Sequence, residues 1–414
     1  MSETRPLLLS SFDSGGGAAR AALRLHQAFL GRGIPSTMVV EVGTTGAAGV
    51  VAPSGSWSRG VGRARPVLDR SPLLLYPNRE GTIFSPAWLP GGGAHALHTV
   101  DHNILNLHWV NAGFLSVEAV GTAVQPLVWT LHDMWPLTGG CHHSDGCEAF
   151  KAACGACPQL GSRSSLDLSR LVLRRKQRTW DPHRMTIVAP SKWLADLAAE
   201  SSIFRSSRIE VIPNPVDTER YRPVDRSLAR KVLGLPPETT LIGFGAANAS
   251  DPRKGGGLLR DALKYISTRA SKPTAQVVIF GGGNGDDGDW SLPTHRLGRL
   301  HDDVSMALAY SAMDFLVQPS LAEVQSLVVA EAMACGIPSV AFATSGMGDL
   351  ITSGSNGILA TPFEVTSLAE SILQLLSDRA LREGLGQAAR RHAVAEFSPP
   401  RVASRYVGLF AELL

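Results

Sequence analysis

Short apolar runs alternate with helical patterns through the first half of the chain. The first run, residues 7–12, leads into a glycine-rich loop that contains Gly16 and Gly17, and residues 18–30 then follow a helical period. Strand, glycine loop and helix in this order are typical of the start of a doubly wound α/β sheet. Glycines at this position let a ligand approach the backbone closely. Further strands are predicted at residues 36–42, 104–109, 126–131, 185–191 and 209–213, with a helix at residues 192–200.

The same alternation starts again in the second half of the chain. Apolar runs that are short enough for strands are again separated by segments of helical period. The predicted strands are residues 240–245, 276–280 and 315–318, and the predicted helices are residues 255–265, 302–310 and 327–335. The second half therefore predicts another parallel sheet covered by helices.

A proline-rich segment, residues 213–223, separates the two series and breaks both periods, as an interdomain linker does. We therefore predict two Rossmann-like α/β domains, residues 1–213 and 214–398, which face each other across a central cleft. Residues 399–414 form an amphipathic pattern and are predicted to be a helix that packs back onto the first domain. Residues 43–93 are rich in Gly, Pro, Ser and Arg, and no element is predicted there.

Polar side chains follow two of the predicted strands of the first domain. His108 and Asn111 come at the end of one strand, and His132 and Asp133 come at the end of the next. The carboxyl ends of parallel strands lie at one edge of a sheet, and open α/β sheets bind ligands at that edge. We expect these four residues to lie in one crevice with the glycine loop.

The helix predicted at residues 327–335 contains an acidic residue in an apolar sequence. Ser326 is the expected N-cap, and Glu331 lies among apolar neighbours, where a carboxylate is costly unless a charged or hydroxyl group meets it. Glu323 lies in the loop before the helix. The helix start offers free N–H groups to a phosphate, and a carboxylate one turn inward can accept from a diol, so the pattern predicts a nucleotide site. The alternative is a core helix with one surface-facing glutamate.

Composition and charge narrow the class of protein. The chain has 414 residues, more than one core usually organises, and its 44% hydrophobic and 18% charged content is that of a globular protein. A net charge of only +3 gives no field that would favour nucleic acid as a partner. No apolar run has membrane-spanning length, and the N-terminus leads directly into a strand, so we expect a cytoplasmic protein.

Two basic runs bear on contact with a membrane. Residues 174–176 and 390–391 could meet an anionic membrane surface at the inner face of the membrane, but solvated helix faces are the favoured interpretation. The sequence predicts no oligomeric state.

Four of the five cysteines lie close together in the sequence, just after His132 and Asp133. The spacing of Cys141, Cys147, Cys154 and Cys157 ends in C-x2-C, which is common in metal sites, and four thiolates can hold a structural zinc ion. Disulfides are not expected in the cytoplasm. A structural zinc site, separate from catalysis, and a loop of reduced thiols both fit this spacing.

Several motifs in order resemble the GT-B glycosyltransferases of family 4, which are retaining enzymes that use nucleotide-sugars. They are the glycine loop, T-L-H-D at residues 130–133, V-A-P-S-K-W-L at residues 188–194, I-P-N-P-V-D at residues 212–217, D-P-R-K-G at residues 251–255 and the segment 319–338. The resemblance covers nearly the whole chain. It departs from the family at residues 245–248, where relatives carry a Gly-Arg pair, and after Glu323, where relatives commonly read Gly-Phe-Gly.

The resemblance implies roles for individual residues. Glu331 is expected to accept from the nucleotide ribose, Glu323 to contact hydroxyls of the transferred sugar, and His132 to lie beside the reacting carbon. Lys254 is expected to bind the diphosphate, which its charge also favours. The catalytic residues are thus His132, Lys254 and Glu323. The other residues expected at the donor are Gly16, Gly17, Arg253, Val324, Gln325, Ser326 and Leu327, and those expected on the acceptor side are His108, Asn111 and Asp133.

The function implied is retaining transfer of a sugar, with a UDP-sugar as the favoured donor, to a hydroxyl acceptor. That acceptor is either a small natural product or a growing surface polysaccharide or lipid-linked glycan. The leaving phosphate oxygen takes the acceptor proton in this scheme, with Asp133 as the nearest base otherwise. Lys254 and the helix start supply the positive charge at the phosphates, so no cofactor is required for catalysis. The alternatives are a nucleotide-sugar epimerase and a binding protein of the same fold.

Overall fold

The computed structural model describes residues 4–53, 55–248, 251–269, 274–282 and 288–414. The chain divides into two compact units, Met1–Pro213 with Ala403–Leu414, and Asn214–Val402. The division falls at the beginning of the proline-rich segment, where the predicted linker starts. Within the part of the chain so described, the strands form two parallel sheets, one of seven strands and one of six.

The first unit is a seven-stranded doubly wound α/β unit with strand order β3-β2-β1-β4-β5-β6-β7. Its strands are β1 Pro6–Phe12, β2 Thr37–Val42, β3 Val50–Val51, β4 Ile104–Leu107, β5 Leu127–Thr130, β6 Met185–Ala189 and β7 Arg208–Val211. Its helices are α1 Gly17–Gly31, α2 Ser56–Asp69, α3 Gly93–Thr99, α4 Val117–Gly121, α5 Leu168–Thr179 and α6 Lys192–Glu200.

The second unit carries the six-stranded sheet, with strand order β10-β9-β8-β11-β12-β13. Its strands are β8 Thr240–Asn248, β9 Ala275–Gly282, β10 Thr294–Gly298, β11 Phe315–Gln318, β12 Ser339–Phe342 and β13 Gly357–Ala360. Its helices are α7 Arg226–Leu233, α8 Gly256–Arg269, α9 Asp303–Ala312, α10 Leu327–Ala334, α11 Met347–Leu350, α12 Val365–Ser377 and α13 Arg379–Phe397, and α14 Pro399–Leu413 follows them.

Central strands of both sheets are buried on both faces, which is why they appear as continuous apolar runs in the sequence. Leu7, Leu8 and Leu9 of β1 have no exposed surface, and neither do Phe315 and Leu316 of β11. Parallel pairing fixes β1 between β2 and β4, so the loops after these three strands meet at one edge. The predicted fold class of two doubly wound α/β units is therefore confirmed.

The terminal helix α14 contributes its last residues to the first unit. Tyr406 donates or accepts a 2.9 Å hydrogen bond with Thr130 at the end of β5, and its ring meets Phe29 of α1 edge-on. Phe410 packs against the same Phe29 ring, with centroids 5.7 Å apart. Residues 403–414 thus pack on the N-terminal sheet, as the amphipathic pattern predicts.

Candidate functional site

The second unit brings together two charged residues that are distant in the sequence. The Nζ of Lys254 lies 2.6 Å from Oε1 of Glu323, and both side chains are mostly buried. The hydroxyl of Ser320 donates to the same carboxylate oxygen at 3.1 Å. The backbone N–H of Glu323 is fixed by Ser345 Oγ at 2.9 Å. A cation and a carboxylate therefore stand together just before the start of α10.

A glycine allows Lys254 to reach this position. Pro252–Lys254 is a 3-10 turn capped by Asp251, and Gly255 ends it with a φ of +75°. A Cβ added at Gly255 would lie 1.9 Å from the carbonyl oxygen of Pro319, so any other residue would push the two loops apart. The glycine after Lys254 therefore fixes this lysine against the loop that carries Glu323.

Arg253, the residue next to Lys254, is held by its own loop. Its guanidinium donates to the two carboxylate oxygens of Asp251 at 2.7 and 3.2 Å. Burial acts to raise the pKa of Asp251, but the hydrogen bonds and charge of Arg253 outweigh it and lower that pKa. A role for Arg253 at a phosphate stays a prediction.

Helix α10 begins as the sequence predicts. Ser326 accepts from the backbone N–H of Val329 at 3.4 Å, which confirms Ser326 as the N-cap. The side chain of Gln325 is committed to the linker, because its Oε1 accepts from the backbone N–H of Asn214 at 2.6 Å. Val324 is buried. A role for residues 324–327 at a phosphate, through their backbone N–H groups rather than their side chains, stays a prediction.

Glu331 is buried inside the second unit and has a hydroxyl partner. The residue is 1% exposed, and its Oε2 accepts from the hydroxyl of Tyr310 on α9 at 3.0 Å. Burial and the charge of Glu331 both raise the pKa of Tyr310 well above its ordinary value, so Tyr310 stays a neutral donor. The alternative of a surface-facing glutamate is wrong, because α10 packs into the core of this unit.

The first unit joins His108 and His132 at the edge of its sheet. Nδ1 of His108 lies 2.9 Å from Nε2 of His132, and the two rings stack with centroids 5.2 Å apart. Nε2 of His108 in turn lies 3.1 Å from Oδ1 of Asn106. The Asn106 amide is fixed because its Nδ2 donates to the Val128 carbonyl at 3.1 Å. Three side chains from β4 and the end of β5 therefore form one hydrogen-bonded chain.

The orientation of Asn106 determines which ring nitrogens carry protons. Since Oδ1 of Asn106 is an acceptor, Nε2 of His108 must donate to it, which leaves Nδ1 of neutral His108 as an acceptor. His132 must then donate through Nε2, and its Nδ1 keeps a lone pair. Burial lowers the pKa of His132 to about 4 and that of His108 well below its ordinary value. Both rings are therefore neutral at neutral pH.

Asp133 is an anchor for the loop after β5. Its Oδ2 accepts from Nδ1 of His142 at 2.6 Å and from Nε1 of Trp109 at 2.8 Å, and its Oδ1 accepts from the backbone N–H of Trp135 at 2.8 Å. Burial acts to raise the pKa of Asp133, but the charge and hydrogen bond of His142 and the Trp135 N–H outweigh it and lower that pKa to about 2. The carboxylate is thus fully used in holding its neighbours.

Asn111 and the glycine loop lie at the same sheet edge. Asn111 is buried, its backbone carbonyl accepts from Ser11 Oγ at 2.6 Å, and its Oδ1 has no hydrogen-bond partner among the described residues. Gly16 is the N-cap of α1, and Gly17 begins it. A Cβ at Gly16 would meet no atom within 4 Å, so open space adjoins this loop.

Several residues of the site were not predicted from the sequence. Asp13 holds the loop after β2 by accepting from the backbone N–H groups of Thr44 and Thr45 at about 3 Å. Asn106 had a signal, a polar residue in the apolar run of β4, where it must be bonded. His142 and Tyr310 had none, because each is defined by a partner elsewhere in the sequence.

The cysteine cluster lines a small cavity beside the loop after β5. The cavity of about 20 Å³ is bordered by Cys141, Cys147, Cys154 and Cys157, and all four thiols are free. Burial raises the pKa of Cys141 to about 12 and that of Cys154 to about 11. Over the described ranges of the chain, no group of three or more His, Cys, Asp or Glu is arranged to hold a metal ion. The zinc site stays a prediction.

Elemental analysis tests this zinc prediction. If zinc draws the four thiolates together, the purified protein contains about one zinc per chain. Cys154→Ser removes most of that zinc, while Cys335→Ala, at a buried cysteine on the other unit, leaves it in place. Plasma mass spectrometry of metal content against protein concentration measures both. A wild-type chain without stoichiometric zinc contradicts the prediction.

The two basic runs are not continuous basic surfaces. Lys176 has no exposed surface; its Nζ donates to the carbonyls of Trp135 and Thr138 and lies 3.7 Å from the centroid of the Trp135 ring. Burial lowers the pKa of Lys176 to about 7. Arg390 donates to three backbone carbonyls at 2.7 to 2.9 Å. The interpretation of these runs as solvated helix faces is wrong for Lys176, whose ammonium group instead stabilises the loop that contains Trp135 and Thr138.

Comparison with known proteins identifies the family. Glycosyltransferase Family 4 matches residues 15–220, and Glycosyl transferases group 1 matches residues 238–378. A D-inositol 3-phosphate glycosyltransferase of Rhodococcus opacus is 32% identical over 199 residues, which are 45% of this chain and 44% of the relative. A GDP-mannose-dependent monoacylated alpha-(1-6)-phosphatidylinositol monomannoside mannosyltransferase of Corynebacterium glutamicum is 32% identical over 206 residues, which are 46% of this chain and 52% of the relative. The chain thus spans about half the length of the curated relatives it matches.

Solved structures match over nearly the whole chain. HepE of Anabaena, in complex with UDP and glucose, has a TM-score of 0.65 at 18% identity and covers 99% of this chain and 100% of its own. WaaG, a glycosyltransferase of lipopolysaccharide biosynthesis, has a TM-score of 0.60 at 15% identity and covers 98% of this chain and 100% of its own. At identities this low, the structural matches establish the fold alone. Together with the two family models, they show that the chain belongs to the group 1, family 4 glycosyltransferases of the GT-B fold.

Proposed function

We propose that this protein transfers a sugar from a nucleotide-sugar, with a UDP-sugar as the favoured donor, to a hydroxyl acceptor with retention of configuration. The observation that carries the proposal is the Lys254–Glu323 pair, 2.6 Å apart, just before the capped N-terminus of α10. A leaving diphosphate needs positive charge, which Lys254 and the free N–H groups of the helix start supply. The structure of HepE with UDP and glucose supports uridine in the donor.

The ion pair suggests what happens when the donor binds. Glu323 neutralises Lys254 in this structure. A diphosphate is a stronger partner for the lysine, because it carries more charge than a single carboxylate. Lys254 then turns to the phosphate and releases Glu323 for hydroxyls of the transferred sugar. In this scheme the same contact positions both residues for the donor.

The state of the first unit favours a retaining route without a protein base. Asp133 already accepts three hydrogen bonds, and its pKa is lowered to about 2, so it is a poor base at neutral pH. Neutral His132 presents a lone pair that can accept from a sugar hydroxyl. The leaving phosphate oxygen is then left to take the acceptor proton. No metal or cofactor enters this scheme.

A donor screen tests the proposal and its alternatives. The protein is incubated with UDP-glucose, UDP-N-acetylglucosamine, UDP-galactose and GDP-mannose, with EDTA present, and nucleoside diphosphate release is measured. We expect slow release from one UDP-sugar, since water can replace the acceptor. An interconverted sugar without release supports an epimerase, and binding without turnover supports a binding protein. Release from GDP-mannose alone would replace uridine by guanosine in the proposed donor; the Corynebacterium relative is GDP-mannose-dependent.

Contact with a membrane surface is a separate part of the proposal. No helix in the described segments is long and apolar enough to cross a membrane. In the first unit, however, Leu74 and Leu75 are 77% and 80% exposed, next to exposed Val67 and Leu68 and the basic Arg70. Apolar side chains flanked by arginine suit the surface of an anionic bilayer. The five free cysteines fit a reducing compartment, so we place this contact on the cytoplasmic side.

Sedimentation with vesicles tests that contact. We expect more of the protein to sediment with phosphatidylglycerol vesicles than with phosphatidylcholine vesicles, because Arg70 is attracted to anionic headgroups. Leu75→Asp lowers the bound fraction, while Val304→Asp, at an exposed valine of the second unit, leaves it unchanged. Equal sedimentation of the wild type and Leu75→Asp contradicts this surface.

A further inference from the structure

A second cavity lies in the first unit, beside the loop after β2. Its volume is about 440 Å³, and it is bordered by β2, β3, α2 and α3. Most of the side chains around it are apolar, among them Val51, Pro53, Val61, Ala96, Val100 and Phe114. A volume of this size suits a small organic ligand, and apolar walls favour a ligand with an apolar body.

One charged pair interrupts the apolar lining of this cavity. Oε1 of Glu41 lies 3.7 Å from Nε of Arg65, and the side chain of Glu41 is only 7% exposed. Oε2 of Glu41 and Nε of Arg65 are both buried without a hydrogen-bond partner among the described residues. Buried polar atoms without partners are costly and indicate a missing group. The pair therefore has unused hydrogen-bonding capacity inside the cavity.

Two glycines make room for the Glu41 carboxylate. A Cβ added at Gly62 of α2 would lie 2.7 Å from Oε1 of Glu41, and one at Gly92 would lie 2.8 Å from Oε2. Any side chain at these positions would displace the carboxylate. Burial raises the pKa of Glu41, and the charge of Arg65 opposes that rise only in part. Glu41 is therefore a buried acid in a mostly apolar lining, where an apolar residue would avoid the cost of burying a carboxylate.

The chemistry of the pair selects among ligand groups. A carboxylate or phosphate would be repelled by Glu41, and an ammonium group would be repelled by Arg65. A hydroxyl can do what neither charged group can, because it donates to the carboxylate and accepts from the guanidinium at the same time. The ligand that fits is therefore an apolar molecule with a neutral hydroxyl group.

The cavity also adjoins the edge of the sheet where the glycine loop lies. Gly43 connects the two, since a Cβ there would lie 2.7 Å from Cβ of Ala52 in the cavity wall and 3.7 Å from Oδ2 of Asp13. Asp13 holds the loop after β2 through Thr44 and Thr45. The cavity wall and the loop that Asp13 holds are therefore separated by the single residue Gly43.

We propose that this cavity is the binding site for an amphipathic acceptor, whose apolar body fills it and whose hydroxyl bridges Glu41 and Arg65. The inference rests on the proposed transferase function and selects among its acceptors. It favours a molecule with an apolar body, either a free small molecule or a lipid in a bilayer, over a purely hydrophilic polysaccharide end. A further hydroxyl of the same ligand would be the one that is glycosylated.

Binding of two glucosides tests the proposal. By isothermal titration calorimetry, n-octyl β-D-glucoside below its micelle concentration binds at least about tenfold more tightly than methyl β-D-glucoside, because only the octyl chain fills the apolar cavity. Ala96→Leu, which fills the cavity from α3, and Glu41→Gln, which removes the charge, each weaken octyl glucoside binding about tenfold. His98→Leu adds the same leucine on the exposed side of α3 and leaves binding unchanged.

Further measurements separate the possible failures. Circular dichroism melting curves show whether each variant folds, and UDP affinity is expected to stay unchanged in all of them. Equal binding of the two glucosides, or octyl glucoside binding that survives Ala96→Leu, overturns the cavity proposal. Octyl glucoside binding without any donor turnover leaves the cavity in place and overturns the transferase proposal. Octyl glucoside offered in phosphatidylcholine vesicles as well as in solution distinguishes the two sources, because tighter binding from vesicles indicates a bilayer lipid and tighter binding from solution indicates a free molecule.

Discussion

Replacing Lys254 with alanine is expected to lower turnover of the nucleotide-sugar by about two orders of magnitude. The lysine is the charged side chain that the loop after β8 holds beside Glu323, and its ammonium group stabilises the departing diphosphate in the proposed mechanism. Loss of such an electrostatic contact acts mainly on the transition state, so kcat falls more than KM rises. Single-turnover and steady-state rates with the donor found in the screen measure the change.

Two further variants show whether the loss comes from the site itself. Lys264→Ala removes an exposed lysine from α8 and leaves turnover unchanged. Glu331→Gln keeps an oxygen that can accept from Tyr310, so the helix stays folded while UDP affinity falls about tenfold. If Lys254→Ala and Glu331→Gln both turn over donor at the wild-type rate, the donor site lies elsewhere.

Asp133→Ala is expected to destabilise the first unit by about 3–5 kcal/mol. The carboxylate accepts from Trp109, from His142 and from the backbone of Trp135, and its removal leaves two buried donors and one half-buried donor without this partner. For a unit of this size the midpoint of thermal unfolding falls by about 10 °C. Asp196→Ala, at an exposed aspartate on α6, serves as the control, and differential scanning calorimetry of both variants measures the shift.

The pH dependence of stability gives a second measure of the same contact. The pKa of Asp133 is lowered to about 2 from the ordinary value of 3.8, so the unfolded chain binds a proton more readily than the folded one. Its stabilising contribution is present above pH 3.8 and is lost as the pH falls toward 2. The difference in melting temperature between the wild type and Asp133→Ala is therefore expected to shrink over this range. A difference that stays constant contradicts the assignment.

A conservative variant separates the anchoring role from catalysis. Asp133→Asn keeps one oxygen but turns an N–H₂ group toward donors, so it also loses stability in the proposed anchoring role. If Asp133→Asn melts with the wild type and only its turnover falls, Asp133 acts as the base and the retaining scheme without a base is wrong.

Elements with local sequence signals were predicted well. The helix at residues 192–200 has the bounds of α6, and the strand at residues 315–318 has those of β11. Ser326 caps α10, and Gly336, with a φ of +75°, follows it. Each of these features depends on residues within a few positions of one another, so the chain itself carries the information.

Helices α2 and α3 are not predicted from the sequence, because they lack such local signals. Helix α2 includes Gly60, Gly62 and Pro66, all poor helix formers. Gly62 lies against Glu41 of β2, where a side chain would displace the carboxylate. Packing against the sheet therefore favours glycine, although glycine is unfavourable for helix formation. Tertiary packing overrides propensity here, and β10 and β13 were likewise not predicted because they are short strands outside strongly apolar runs.

The sequence by itself determined the two α/β units, the junction at residues 213–214, the family motifs and the start of α10, because periodicity, caps and motif order are local properties. Only the tertiary structure decided which side chains contact one another. It paired Lys254 with Glu323, gave Glu331 the Tyr310 hydroxyl, linked His132 to Asn106 through His108, and buried Lys176 under the Trp135 loop. Hydrogen bonds and burial depend on groups that the fold brings together from distant positions, and the spacing of residues along one chain does not specify them.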